Sequence, residues 1–127
     1  MSSLSRSTFQ NAYVNPNDVW SKSDKAVARK AFDAALKREL QEAIGKAKRM
    51  ASQITQPADL WDLENFLTRR REHIDSKYVF RQSRLTEVLG RLLWENRLSA
   101  DDLQGMREDK LESIRSYAKF FAKMNAA

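Results

Sequence analysis

His73 is the single histidine in this 127-residue chain, and cysteine is absent. One imidazole and no thiol cannot assemble, within one chain, a Ser-His-Asp triad, a Cys-His pair or a His- and Cys-based metal cluster. No glycine-rich phosphate loop occurs, with only 3 Gly in the chain. Carboxylates are plentiful, but they alternate with basic residues in the manner of solvated helix surfaces. An enzyme is therefore not expected, nor a bound cofactor or metal, and His73 reads as a surface or interface side chain.

The residue types that remain are those that bind. In the segment 57–81, a helix turning about 100° per residue gathers Trp61, Glu64, Asn65, Thr68 and Arg71 on one face, with Glu72 and Asp75 beside them. Trp and Arg are the side chains most enriched at binding hot spots. The apolar line of the same segment, Leu60, Leu63, Leu67, Ile74 and Tyr78, lies roughly 120° away. Trp61 thus heads a polar stripe rather than a core stripe, which marks a protein-binding face. Geometry alone leaves a plainer alternative equally open, with Trp61 packed on another helix in the dimer and Arg71 paired to a carboxylate such as Glu64.

The run Arg69-Arg70-Arg71, the net charge of +6 and the pI near 9.8 raise the competing class, a basic helical nucleic-acid-binding protein. Helical geometry spreads the three arginines over about 200°, so they form no single phosphate-binding patch. Arg70 falls on the apolar line, where its stem can pack and its guanidinium can meet a carboxylate. The 23 basic side chains are interspersed with 17 acidic ones. Nucleic acid is not the expected partner.

Helices must carry these groups. Only 3 Gly and 2 Pro leave little turn chemistry for a sheet, whereas good helix formers dominate. Residues 1–20 lack periodicity and read as a flexible tail, with Phe9, Tyr13, Val14 and Trp20 able to pack locally. That tail shows no secretory signal, and no stretch approaches the roughly 18 apolar residues of a membrane span. A cytoplasmic setting is expected. Ser21 or Ser23 caps a long helix whose seam is Phe32, Leu36, Leu40, Ala43, Ala47, Met50 and Ile54. Thr55 or Gln56 caps a second helix that opens on Pro57. The short link makes these two an antiparallel hairpin over residues 21–81.

Leu85, Val88, Leu89, Leu92 and Leu93 mark a third helix. Leu98, Ser99, Asp102 and Leu103 form a capped start with a hydrophobic staple. A last helix bears Leu111, Ile114, Ala118 and Phe121. Residues 82–127 would form a small helical head, with Trp94 as a packing residue and Phe120 and Phe121 in its core. A helix of about 30 residues spans about 45 Å, longer than the roughly 35 Å diameter of a compact domain of this size. The expected architecture is all-α, a hairpin stalk plus head, dimerising through the stalk. Leu36, Leu40, Ala43, Ala47, Met50, Leu63 and Leu67 are the expected dimer interface.

The second helix also resembles a known family. Trp61-Asp62-Leu63-Glu64-Asn65-Phe66-Leu67-Thr68-Arg69-Arg70-Arg71, then Ile74-Asp75-Ser76-Lys77-Tyr78 and Arg81, is similar to the signature helix of the fluorescence recovery protein family, as is Glu108-Asp109-Lys110-Leu111. The resemblance covers about residues 24–121. It implies a helical homodimer without enzymatic activity or cofactor. Such a protein binds the photoactivated orange carotenoid protein, speeds its return to the resting form and helps detach it from the phycobilisome. The family's functional patch is a Trp, a His-Asp pair and an Arg. Trp61 and Arg71 match it, while Glu64 and Asn65 replace the pair. The partners implied are a second copy of the chain and the orange carotenoid protein or a related protein.

Overall fold

The computed structural model describes residues 19–126, so residues 1–18 of the expected tail, including Phe9, Tyr13 and Val14, lie outside the described residues. The described chain is all-helical, without a strand. Helix α1 spans Lys22–Ser52, α2 Pro57–Lys77, α3 Leu85–Trp94 and α4 Glu108–Met124, with a short 3-10 helix, η1, at Ala100–Leu103.

Ser21 starts α1, its hydroxyl accepting the Asp24 amide at 3.0 Å, a cap contributing about 1 kcal/mol. The buried line of α1 is Ala28, Ala31, Phe32, Ala35, Glu39 and Ala43. The expected seam is met only in part. Phe32 and Ala43 are buried and Leu36, Ala47, Met50 and Ile54 half-buried, but Leu40 is 44% exposed. Ala28, Ala31 and Ala35 are small enough to press α1 against the rest of the protein. That close approach turns Glu39 inward, about 100° from Leu40.

At the start of α2 the Asp59 carboxylate accepts the Thr55 and Gln56 amides at 2.9 and 3.0 Å. Pro57 occupies the first turn, where its missing N–H costs nothing. Lys77 and Arg70 of α2 reach Glu39, and Phe66 lies beneath Lys46, so α2 runs back along α1.

Helix α3 ends in a left-handed residue, Asn96 with φ 63°. The Asn96 and Arg97 amides return to the carbonyls of Leu93 and Leu92 at 3.1 and 2.9 Å, a Schellman closure. It sends Arg97 back toward α1. Ser99 and Asp102 form the capped start expected of them, with the Ser99 amide 2.8 Å from the Asp102 carboxylate. The helix they cap is only η1, and α4 starts afresh at Glu108 with its Arg107 amide on Asp24, 3.0 Å away.

Gly90 is where α3 and α4 meet most closely. A Cβ there would lie 2.8 Å from the Ile114 carbonyl and against the Tyr117 side chain. The core gathers Trp20, Ala28, Ala31, Phe32 and Ala35 with Leu85, Val88, Leu89, Leu92, Leu98, Leu103, Met106 and Ile114. It therefore joins the first half of α1 to residues 85–114. Phe32 forms T-shaped ring pairs with Tyr78 and Phe80, centroids 5.3 and 5.2 Å apart. Trp94 packs as expected, stacked on half-buried Phe121 at 6.1 Å. Phe120 departs from expectation. It lies outside the core, 53% exposed, because the helical period that seats Phe121 turns its neighbour to solvent.

Candidate protein-binding site

Helix α2 is anchored by charge rather than by apolar packing alone. Glu39 and Lys77 are buried, with carboxylate and ammonium 2.6 Å apart. Lys77 also donates to Glu95 at 2.8 Å, Tyr78 donates its hydroxyl to Glu39 at 2.8 Å, and Arg97 lies 3.1 Å from both carboxylates. Arg97 reaches on to Glu42 at 2.7 Å. A buried charge is tolerated only when paired and hydrogen-bonded. Lys77 meets two carboxylates, whereas Glu39 is satisfied through Oε1, its buried Oε2 having Arg70 at 3.8 Å and no hydrogen bond among the described residues.

The titrations follow from that geometry. Burial pushes the Glu95 carboxyl up, but Lys77, Arg97 and Arg91 outweigh it and leave it below the usual range. Burial first, then the bond to Glu39, raises the Tyr78 phenol far above its ordinary value. His73, one turn before Lys77, is lowered by burial and by the nearby Lys77 and Arg91 charges. Arg38 forks onto Asp102 at 2.9 and 3.0 Å while donating to the Arg97 carbonyl at 2.7 Å. That fork holds the Asp102 carboxyl at about 2.

So held, α2 presents distinct faces. Trp61, Glu64, Asn65, Thr68 and Arg71 are all exposed, Trp61 to 60%. The structure therefore keeps the expected stripe on the solvent side of α2, with Asn65 at its edge also lining the groove between α2 and α1. Among the described residues no carboxylate lies within ion-pairing distance of Arg71, so the alternative of a pair with Glu64 is not realised. Trp61 is 60% exposed in the single chain, which leaves it accessible to a partner helix or to another protein. Arg70 behaves as read: half-buried, 5.3 Å from the Phe66 ring and 3.8 Å from Glu39.

A second face is apolar. Leu40, Ile44, Leu60 and Leu67 are exposed to 44%, 47%, 49% and 48%. Because α1 and α2 run antiparallel, residues turned the same way from their shared contact line fall on one side of the pair. These four are turned so, by about 60–130°. Of the expected interface residues, Leu40 and Leu67 belong here, Leu36, Ala47, Met50 and Leu63 are half-buried at its edge, and Ala43 is covered by its own chain. Ile44 and Leu60 join them. Leu60 stood on the expected apolar line, whereas Ile44 had no signal beyond its place one turn after Leu40. Among the described residues no group of three or more His, Asp or Glu is arranged to hold a metal ion, and no helix is long and apolar enough to cross a membrane.

Fold and surface together define an all-helical protein that presents a tryptophan-headed polar stripe on a helix fixed by buried charge. Residues 20–118 match the family model described as photoprotection regulator fluorescence recovery protein, and the chain belongs to that family. It is 38% identical over 100 residues to the fluorescence recovery protein of Synechocystis sp., an alignment covering 79% of this chain and 92% of that protein. The solved fluorescence recovery protein of Fremyella diplosiphon superposes with a TM-score of 0.75 at 37% identity, over 80% of this chain and 99% of the other. That of Synechocystis sp. PCC 6803 gives 0.75 at 38%, with the same coverage.

Proposed function

We propose that this chain acts as a homodimer that binds the photoactivated orange carotenoid protein, or a related protein, and accelerates its return to the resting state. The dimer is a stalk-and-head one, joined through the exposed Leu40, Ile44, Leu60 and Leu67 side of the α1–α2 pair. Apolar patches of this kind on a soluble helix pair mark protein–protein contact. The observation that carries the functional reading is the pairing of a largely exposed Trp61 with an Arg71 that no carboxylate of the described chain engages. A large aromatic and an uncommitted guanidinium on a rigid helix are the components of a binding hot spot. The setting proposed is the cytoplasm, and no cofactor takes part.

Glu64 and Asn65 stand where the family resemblance places a His-Asp pair. The substitution Glu64→His with Asn65→Asp moves the carboxylate by about 100° round α2 and adds an imidazole able to donate and accept. Both positions are exposed, so the fold is unaffected. The test is the red-to-orange absorbance decay of a cyanobacterial orange carotenoid protein in the dark, with wild type and the double variant at equal concentration. Acceleration by either, greater for the variant, supports the reading. Acceleration by neither overturns the carotenoid protein as partner. Binding whose logarithm falls steeply with the logarithm of salt, on a DNA or RNA probe, would instead favour the basic nucleic-acid class.

A further inference from the structure

The side of the α1–α2 pair opposite Leu40 and Leu67 carries a groove of about 650 Å³. Arg69 and His73 on its α2 wall lie about 180° and 220° round the helix from Leu60. From the α1 wall Lys46 leans over the Phe66 ring at 4.8 Å, and Arg70 covers that ring at 5.3 Å. Among the described residues Arg69 and Lys46 have no carboxylate within ion-pairing distance, and Arg70 has only the distant Glu39 at 3.8 Å. One acidic side chain, Asp62, stands at the far end. Deeper in, Glu39 and Arg97 are consumed by the buried cluster. What faces solvent is Arg69 and the Lys46 and Arg70 cations over a half-buried Phe66 ring, with Asp62 at one end and the exposed Glu42 near enough to feel Arg70.

We infer that this groove binds an acidic polypeptide segment of a partner protein. Carboxylates of the segment meet Lys46 and Arg69, while Arg70 is shared between Glu39 and the Phe66 ring that it covers together with Lys46. Lys46 and Arg69, which no carboxylate of the described residues pairs, are the complement of such a segment and steer its approach. The groove follows α2 from Asp62 to His73, about 16 Å, which is the span of about five extended residues. A small anion would fill only a fraction of it. A second copy of this chain fits less well, since its net charge is +6 and its apolar face lies on the other side of the pair. The inference stands whether or not the carotenoid protein is the partner.

The experiment uses a fluorescein-labelled hexapeptide of alternating Glu and Leu, its Gln-for-Glu counterpart and a single-stranded DNA tetranucleotide, whose three phosphates match the three Glu charges. Anisotropy is read against the full chain, and amide shifts locate the site. Lys46→Glu with Arg69→Glu should weaken the acidic peptide by at least tenfold. Lys119→Glu with Lys123→Glu, the same charge change on exposed residues of α4, should weaken it by less than threefold. The Gln peptide should bind at least tenfold more weakly, and shifts should centre on Phe66 and Arg69. Equal losses in the two double variants, shifts on the Leu60 and Leu67 side, or tighter binding of the DNA would each overturn the inference.

Discussion

Glu39 and Lys77 face each other at 2.6 Å, their side chains 0% and 1% exposed, where the middle of α1 meets the end of α2. Both helices were readable as amphipathic, yet their closest contact is an ion pair set into the apolar surface. The pair joins α2, which carries the Trp61 stripe, to Glu95 and Arg97 beyond α3. The orientation of the candidate site relative to the core is thereby set by charge.

Removing one member of that pair strands the other. Lys77→Met leaves Glu39 buried and short of its main counter-ion, and should cost about 3–5 kcal/mol of unfolding free energy in a denaturant titration. The double variant Glu39→Leu with Lys77→Met should recover at least half of the loss, because an apolar pair of similar volume suits a dry site. Equal instability of single and double variants would show that the cluster matters through its other members.

The exposed apolar side leads to a prediction about assembly. Wild type should scatter light as a dimer at micromolar concentration, twice the 14.7 kDa chain mass. Leu40→Glu places a carboxylate into the proposed interface, where an unpaired charge is costly, and should shift the mass toward the monomer. Because Leu40 is 44% exposed in the single chain, helicity should be retained.

Arg71 should serve recognition more than stability. It is exposed and no ion pair within the described chain engages it, so Arg71→Leu should change the unfolding free energy by under about 1 kcal/mol. Under the proposed function, the same variant should slow the dark recovery of an orange carotenoid protein mixed with this chain. A large drop in melting temperature with unchanged recovery would reverse that assignment.

Acid should weaken the link between α1 and η1. The Asp102 carboxyl titrates at about 2 in the fold against an ordinary 3.8. A folded value below the unfolded one means stability that is present above about pH 4 and lost as pH falls toward 2. Asp102→Asn should therefore be less stable than wild type at pH 7 by about 1 kcal/mol, allowing for solvent screening of the Arg38 fork. The two unfolding curves should draw together as pH falls through 2 and converge below it.

Much of this protein was determined by local sequence. Ser21, Pro57 and Ser99 cap where their chemistry requires, and the leucine spacing of 85–93 specifies a helix without outside help. The polar stripe behind Trp61 follows from the α-helical period alone, which depends on no neighbour. Tertiary structure decided which line of each amphipathic helix is covered. Ala28, Ala31 and Ala35 drew α1 in so far that Glu39 replaced Leu40 at the contact, and Lys77 was buried on the far helix to meet it. Phe120 was left exposed beside a seated Phe121 by the same selection. Periodicity marks a face about 100° wide, but the shape of what packs against it chooses the line within that face. A charge can be buried there only when an opposite charge, remote in sequence, arrives at the same place.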